Sequence, residues 1–288
     1  MKLHQYADDC QIYTSVSAAD SLAAVSKLSA CVTVLNQWMR ANRLHLNPAK
    51  TQVMWLGSSQ QLTKIQIKDI SILKTAVSVT ETARDLGVVI DSQLSLASHV
   101  SAVSRSCYYQ LRQLRSVVNL LSDGASKLFV HAFISSRLDY CNSLLYGIAD
   151  GLLQKLQSIQ NAAARLVTGT RRRDHITPVL RELHWLPVRQ RIEFKVACLA
   201  FKSLAGQVPE YLSSDCCLVS GSLQSADSRT CVVPRTHNRY GDRNFSVSGP
   251  QQWNALLMEL RQAHVKFEHF KRQLKTFLFE RSRRLVTF

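Results

Sequence analysis

Two adjacent carboxylates stand near the start of the chain, in Tyr6-Ala7-Asp8-Asp9. On either side run short segments of alternating polarity, Leu3-His4-Gln5 and Cys10-Gln11-Ile12-Tyr13, a pattern that predicts two strands joined by a tight turn. Neighbouring acids at a hairpin tip repel one another, which costs stability unless water solvates them or a cation sits there. A divalent metal pair would convert that cost into a site, with Asp8 and Asp9 as ligands. An Asp-Asp pair is also ordinary turn chemistry, because Asp tolerates turn conformations. The tetrapeptide alone leaves both readings open.

The other residues able to do chemistry are basic. Arg105, Arg112 and Arg115 recur inside one long helical repeat, and Arg171-Arg172-Arg173 follow the end of another. Lys195 stands in the helical stretch after Pro187. Such groups hold phosphates, although a charge run also serves simply to keep a loop solvated. Arg243 lies in Asn238-Arg239-Tyr240-Gly241-Asp242-Arg243-Asn244-Phe245, a mixture of arginine and aromatic residues that suits base stacking and phosphate contact, or a packed turn.

The overall balance favours the phosphate reading. The 288 residues carry 36 Lys and Arg against 20 Asp and Glu, a formal net charge of +16, which points to a polyanionic partner, nucleic acid or an acidic membrane face. The excess is uneven: residues 1–95 hold 9 basic and 7 acidic residues, residues 96–288 hold 27 and 13. A 46% hydrophobic composition excludes disorder as the default and supports a substantial core. The eight cysteines are scattered through apolar patterns and read as buried thiols of a reducing compartment. Cys216, Cys217, Cys231 and His237 lack the two-residue gap of a zinc knuckle. No signal peptide and no apolar run of membrane-spanning length is read from the sequence. The expectation is a soluble intracellular protein without disulfides.

Several elements must position these residues. Leu22, Val25, Leu28, Val32, Leu35 and Met39 recur at helical spacing, and Asn47-Pro48 ends that helix. Short strands are expected at 52–57, 64–68, 70–73, 76–80 and 85–91. From Leu96 the period is helical for over six turns, and further helices are expected at 126–145 and 152–168, giving a bundle. Thr177 and Pro178 suit an N-cap and a first helical position. His184 and Trp185 read as packing residues, and 213–236 as a loop. The last helix places Phe267, Phe270, Leu274, Phe277 and Leu278 on one face and lysines and arginines elsewhere. Such a helix suits a membrane surface, a partner groove or nucleic acid, with internal docking the simplest case.

Together these residues resemble the reverse transcriptases of non-LTR (LINE) retrotransposons of the Jockey-like kind. Tyr6-Ala7-Asp8-Asp9 matches the metal-binding palm motif of that family. Trp38, Asn42, Leu44, Leu46, Asn47, Lys50 and Thr51 match the segment that follows it, and Leu86-Gly87-Val88 with Asp91 looks like the primer grip. Leu183-His184-Trp185-Leu186-Pro187-Val188, Arg191-Ile192, Phe194-Lys195, Lys202, Gly206, Pro209 and Tyr211-Leu212 match the C-terminal block. Gly241, Arg243, Phe245-Ser246, Pro250, Trp253-Asn254, Phe270-Lys271 and Leu274-Lys275-Thr276 continue it. Gly249 stands where Ala usually precedes the Pro, and Leu257 where a Pro is usual.

The resemblance implies an α+β, mostly α fold. A partial palm occupies 1–95 (β-hairpin, helix, short strands and primer grip), a thumb-like helical bundle 96–172, and a basic helical C-terminal extension 173–288. It implies RNA-directed DNA polymerase chemistry on an RNA template and a DNA primer or their hybrid, with no membrane partner. The cofactor would be two Mg²⁺ ions, roughly 3.5 to 4 Å apart in such sites. Asp8 and Asp9 would be metal ligands and catalytic residues, and Lys50 a proton donor to pyrophosphate. Synthesis in the cytoplasm and work in the nucleus follow from the same resemblance. Only seven residues precede Asp8, whereas the family places its fingers, its other palm aspartate and an endonuclease domain upstream. Two adjacent side chains cannot surround two ions. The expectation is therefore a truncated polymerase, inactive alone, or a basic nucleic-acid-binding module without catalysis.

Overall fold

A computed structural model describes residues 1–7, 9–219 and 229–284. Asp8 therefore lies outside the described residues, as does part of the loop expected at 213–236. The chain forms two compact units, Met1–His99 and Val100–Phe288.

In the first unit, β1 (Lys2–Tyr6) and β2 (Asp9–Tyr13) pair antiparallel, with Leu3 opposite Ile12 and Tyr6 opposite Asp9. Ala7 turns the chain at φ 52°, the left-handed conformation that two-residue hairpin turns require. Helix α1 (Ser21–Ala41) follows. It ends where Asn42 returns its side-chain amide to the carbonyl of Trp38 at 2.9 Å. A short α2 (Ser59–Leu62) precedes the hairpin of β3 (Asp69–Ile72) and β4 (Thr75–Ser78). Alternation along β3 buries Ile70 and Ile72, and these close on Val32 of α1 and Val77 of β4. Ile12, Val53 and Trp55 pack around that cluster. The hydroxyl of Ser29 adds a bond to the carbonyl of Ser71 at 3.1 Å.

Several expected strands are corrected. The run 85–91 is not one strand: β5 (Thr82–Asp85) and β6 (Val88–Asp91) form a hairpin about Leu86 and Gly87, at φ 43° and 85°. Two successive positive φ values suit the twist of a two-residue hairpin, and the apolar Leu86 hides that turn from a pattern reading. Residues 64–68 form no strand, and 52–57 contribute only an isolated bridge between Val53 and Val79. The reading of membrane length is corrected too. Ala18–Ala41 is long and apolar enough, by length and composition, to cross a bilayer, because Ala, Val, Leu and small hydroxyl residues outnumber its few charges.

In the second unit, α3 (Ala97–Val117) buries Val100, Cys107, Leu111 and Leu114 along one face. Ser122 caps α4 (Asp123–Val130), which runs through a π-turn, His131–Ser135, into α5 (Ser136–Asp139). The helix expected at 126–145 is thus broken: Cys141 takes φ 50°, and a 3₁₀ turn, Asn142–Leu145, follows. Then come α6 (Asp150–Thr168), α7 (Ile176–Glu182), α8 (Val188–Leu204) and α9 (Glu210–Ser213). Helix α7 starts at Ile176 with His175 as cap, two residues before the expected cap Thr177 and first helical residue Pro178. The unit closes with α10 (Arg239–Arg243), α11 (Phe245–Asn254) and α12 (Phe267–Arg284). Trp253, Phe270, Leu274 and Leu278 pack with Ala197 and Ala200 of α8 into its core. A Cβ on Gly249 would lie 2.9 Å from the Phe245 ring, so the glycine lets that ring rest against α11.

Residues on both sides of position 172 belong to the second unit. The buried Gln160 of α6 donates to the carbonyl of Leu186 at 2.8 Å, and Gln157 accepts from the amide of Val188 at 2.8 Å. Arg191 grips Asp139 with two bonds of 2.9 and 2.7 Å. Gln160→Leu would leave the Leu186 carbonyl unpaired in the core. It is expected to destabilise the second unit by about 1–3 kcal/mol, read as a lower urea midpoint at unchanged slope.

Glu193 is buried, its Oε2 makes no hydrogen bond among the described residues, and Arg281 stands 3.6 Å away. Burial raises its pKa from 4.5, and Arg281 and then Arg189 pull it back only in part. A carboxyl whose folded pKa exceeds the unfolded one holds extra protons in the folded state. Its contribution to stability therefore falls as pH rises from 4.5 towards the folded pKa and levels off above it. Glu193→Gln is expected to remove that slope in urea titrations run across the acidic range.

Candidate nucleic-acid interface

The arginine run is presented by a loop that the chain builds with care. Helix α6 ends at Gly169, whose φ of 67° is the left-handed cap glycine adopts freely. The loop then folds back under Arg165, whose guanidinium donates to the carbonyls of Arg171, Arg172 and Asp174 at 3.4, 3.5 and 3.2 Å. Asp174 closes the turn by accepting from the amide of Arg171 at 3.1 Å. Arg171, Arg172 and Arg173 are all exposed, and no hydrogen bond or ion pair of their guanidinium groups occurs among the described residues. Three solvated cations on a pinned backbone are well placed to meet phosphates.

Arg105, Arg112 and Arg115 are exposed on α3, opposite its buried face, and Tyr108 and Tyr109 stand among them at 46% and 59% exposure. A third basic region lies where α8 meets α12. Lys195 is exposed there. Lys202 and Lys271 hold their ammonium groups 4.9 and 5.0 Å from the centre of the Phe267 ring, a cation–π arrangement that steadies both. Glu268 pairs with Lys271 at 2.8 Å, an exposed contact worth little. Arg243 has a different setting. Its Nε donates to the carbonyl of Tyr146 at 3.2 Å, and its stem fills the space a Cβ on Gly147 would need. It joins α10 to the segment before α6.

In the first unit, Asp9 is exposed at the head of β2. Lys50 is exposed in the turn after Asn47, its amide donating to the Asn47 carbonyl at 3.1 Å, and no ion pair links it to Asp9. Among the described residues, no group of three or more His, Cys, Asp or Glu side chains is placed to hold a metal ion. All eight cysteines are free thiols. Asp9 by itself does not fit a pair of Mg²⁺ ions, which need carboxylates from more than one element.

Over 193 residues, 66% of its length, the chain is 25% identical to the probable RNA-directed DNA polymerase from transposon BS of Drosophila melanogaster. The chain is thus similar to part of a transposon polymerase. It spans about a fifth of that protein's length, 21%. No family model matches the chain, and no solved structure matches it.

Sequence reasoning found the arginines but not what organises them. Arg165 was one basic residue in a helical repeat, and only the loop's return makes it a clamp. Tyr108 and Tyr109 carried a usable signal, since they share the helical phase of Arg105 and Arg112.

Proposed function

We propose that this chain is the nucleic-acid-binding part of a reverse transcriptase, an RNA-directed DNA polymerase of a non-LTR, Jockey-like retrotransposon. The observation that carries the reading is the likeness to the transposon BS polymerase over two thirds of the chain. The exposed arginines of α3 and of the loop after α6 support it. Template RNA and DNA primer, or their hybrid, would be held mainly through backbone phosphates, so that binding is salt-sensitive and weakly sequence-specific. Such an enzyme is made in the cytoplasm and works on chromosomal DNA in the nucleus.

For polymerisation, Asp8 and Asp9 would contribute to a Mg²⁺ site whose remaining carboxylates come from another segment. That follows from the donor requirement of two-ion catalysis. Lys50 would donate a proton to the pyrophosphate. Among the described residues no cluster of three or more ligating side chains surrounds Asp9, which suits a second reading, in which binding is the whole function of these 288 residues.

Labelled RNA–DNA hybrid titrated with the purified chain tests the proposal, with binding expected at low salt and a steep fall as salt rises. Absence of binding at low salt would sink it. Primer extension on an RNA template, with and without Asp8→Asn and Asp9→Asn, separates the two readings. Extension that both substitutions abolish establishes catalysis, whereas binding without extension, indifferent to both, leaves the binding module.

A further inference from the structure

Helix α3 carries its exposed arginines on the same face as two exposed tyrosines. At about 100° per residue, Arg105, Tyr108, Tyr109, Arg112 and Arg115 fall within a sector of about 120°. The buried residues Val100, Cys107, Leu111 and Leu114, each at most 8% exposed, occupy the opposite side. From Ala97 to Val117 the helix contains no Asp or Glu. Neither tyrosine ring makes an aromatic contact, and neither hydroxyl a hydrogen bond, among the described residues. The two rings project between cations over roughly 15 Å of helix axis, from Arg105 to Arg115.

We propose that this face binds single-stranded nucleic acid, the three guanidinium groups holding successive backbone phosphates while Tyr108 and Tyr109 stack on unpaired bases. This rests on the nucleic-acid-binding function proposed above and names the form of nucleic acid that α3 selects. Charge complementarity identifies a polyanion, since three arginines stand without one acid between them. The tyrosines narrow the choice. In a duplex, base faces are already stacked on one another and only edges and phosphates are offered, so exposed rings gain nothing from it. A single strand leaves base faces open, and stacking on aromatic side chains is largely indifferent to base identity. Arginine beside an aromatic ring adds a planar cation that can itself lie against a base.

The test uses the full chain and two fluorescent probes of equal length, a single-stranded RNA and a blunt duplex of the same sequence. Tyr108→Ala with Tyr109→Ala is expected to weaken single-strand binding by about tenfold or more and to leave duplex binding unchanged. Tyr108→Phe with Tyr109→Phe keeps the rings and should retain single-strand affinity. Arg105→Ala, Arg112→Ala and Arg115→Ala together should weaken both probes and lower the salt slope by roughly 2 to 3. These positions are exposed, and circular dichroism of each variant verifies that α3 persists.

If the tyrosine-to-alanine pair binds the single strand as the parent does, the stacking role is overturned while nucleic-acid binding stands. If it weakens both probes equally, the single-strand preference is overturned. If the parent binds neither probe, the proposed function falls as well. Binding to vesicles containing phosphatidylserine but to neither probe would assign the face to a membrane instead.

Discussion

Phe270→Ala is expected to lower the unfolding free energy of the second unit by about 3–5 kcal/mol. The ring is fully buried, 4.6 Å from Phe201 and 6.2 Å from Trp253 between ring centres. It belongs to the stripe Phe270, Leu274 and Leu278 by which α12 is held in the core. Removing it leaves a cavity among aromatic rings, which cannot collapse as freely as aliphatic side chains. Against a total of roughly 5–15 kcal/mol for a domain, that loss brings part of the population to the unfolded state near physiological temperature. Urea unfolding followed by tryptophan fluorescence reads it through Trp253. Phe267→Ala, three residues earlier and only half-buried, is the control. It releases Lys202 and Lys271 from the ring and should cost well under half as much. Equal effects would mean that α12 is not held by its buried stripe.

The stripe itself was legible, because Phe267, Phe270, Leu274, Phe277 and Leu278 keep a helical period whatever they pack against. What packs on them was not. Phe201 and Trp253 come from distant segments, and Trp253 is fixed by a bond from its indole N–H to the carbonyl of Arg229 at 2.7 Å, a partner no local pattern announces. The long helices α1, α3 and α6 likewise follow from periodicity. The helix expected at 126–145 fails at Cys141, where a left-handed residue other than glycine breaks a continuous apolar period. The hairpin at Leu86–Gly87 escapes for a related reason: the positive φ of an apolar residue is imposed by pairing across the turn, and propensity does not reveal it.

For the candidate interface, residue types were legible and their setting was not. Arg171, Arg172 and Arg173 stand out in any reading of charge, yet a charge run looks the same whether its backbone is ordered or wandering. Arg243 reads as a phosphate ligand from its aromatic company, but its stem and Nε are committed to Gly147 and Tyr146. The opposite holds on α3, where tyrosines that look like core residues by type are left in solvent by the phase of the helix.

Replacing Arg171, Arg172 and Arg173 together by alanine is expected to weaken binding of an RNA–DNA hybrid on the order of a hundredfold or more at 50 mM salt, and to flatten the salt dependence by roughly 2 to 3 in slope. Each arginine that meets a phosphate releases condensed counterions, so the loss should shrink steadily as salt is raised. Arg165 makes the sharper case. Its guanidinium is spent on three carbonyls of the loop, and it holds the cations in place without having to touch the ligand. Arg165→Ala should therefore weaken binding while leaving most of the salt slope, since the three loop charges remain but must be ordered anew on binding. Arg165→Lys keeps the charge and loses the planar fork that serves several acceptors at once, so it should behave like alanine. Affinity restored by lysine would show that Arg165 acts through its charge, as a fourth phosphate ligand, and that the loop needs no clamp.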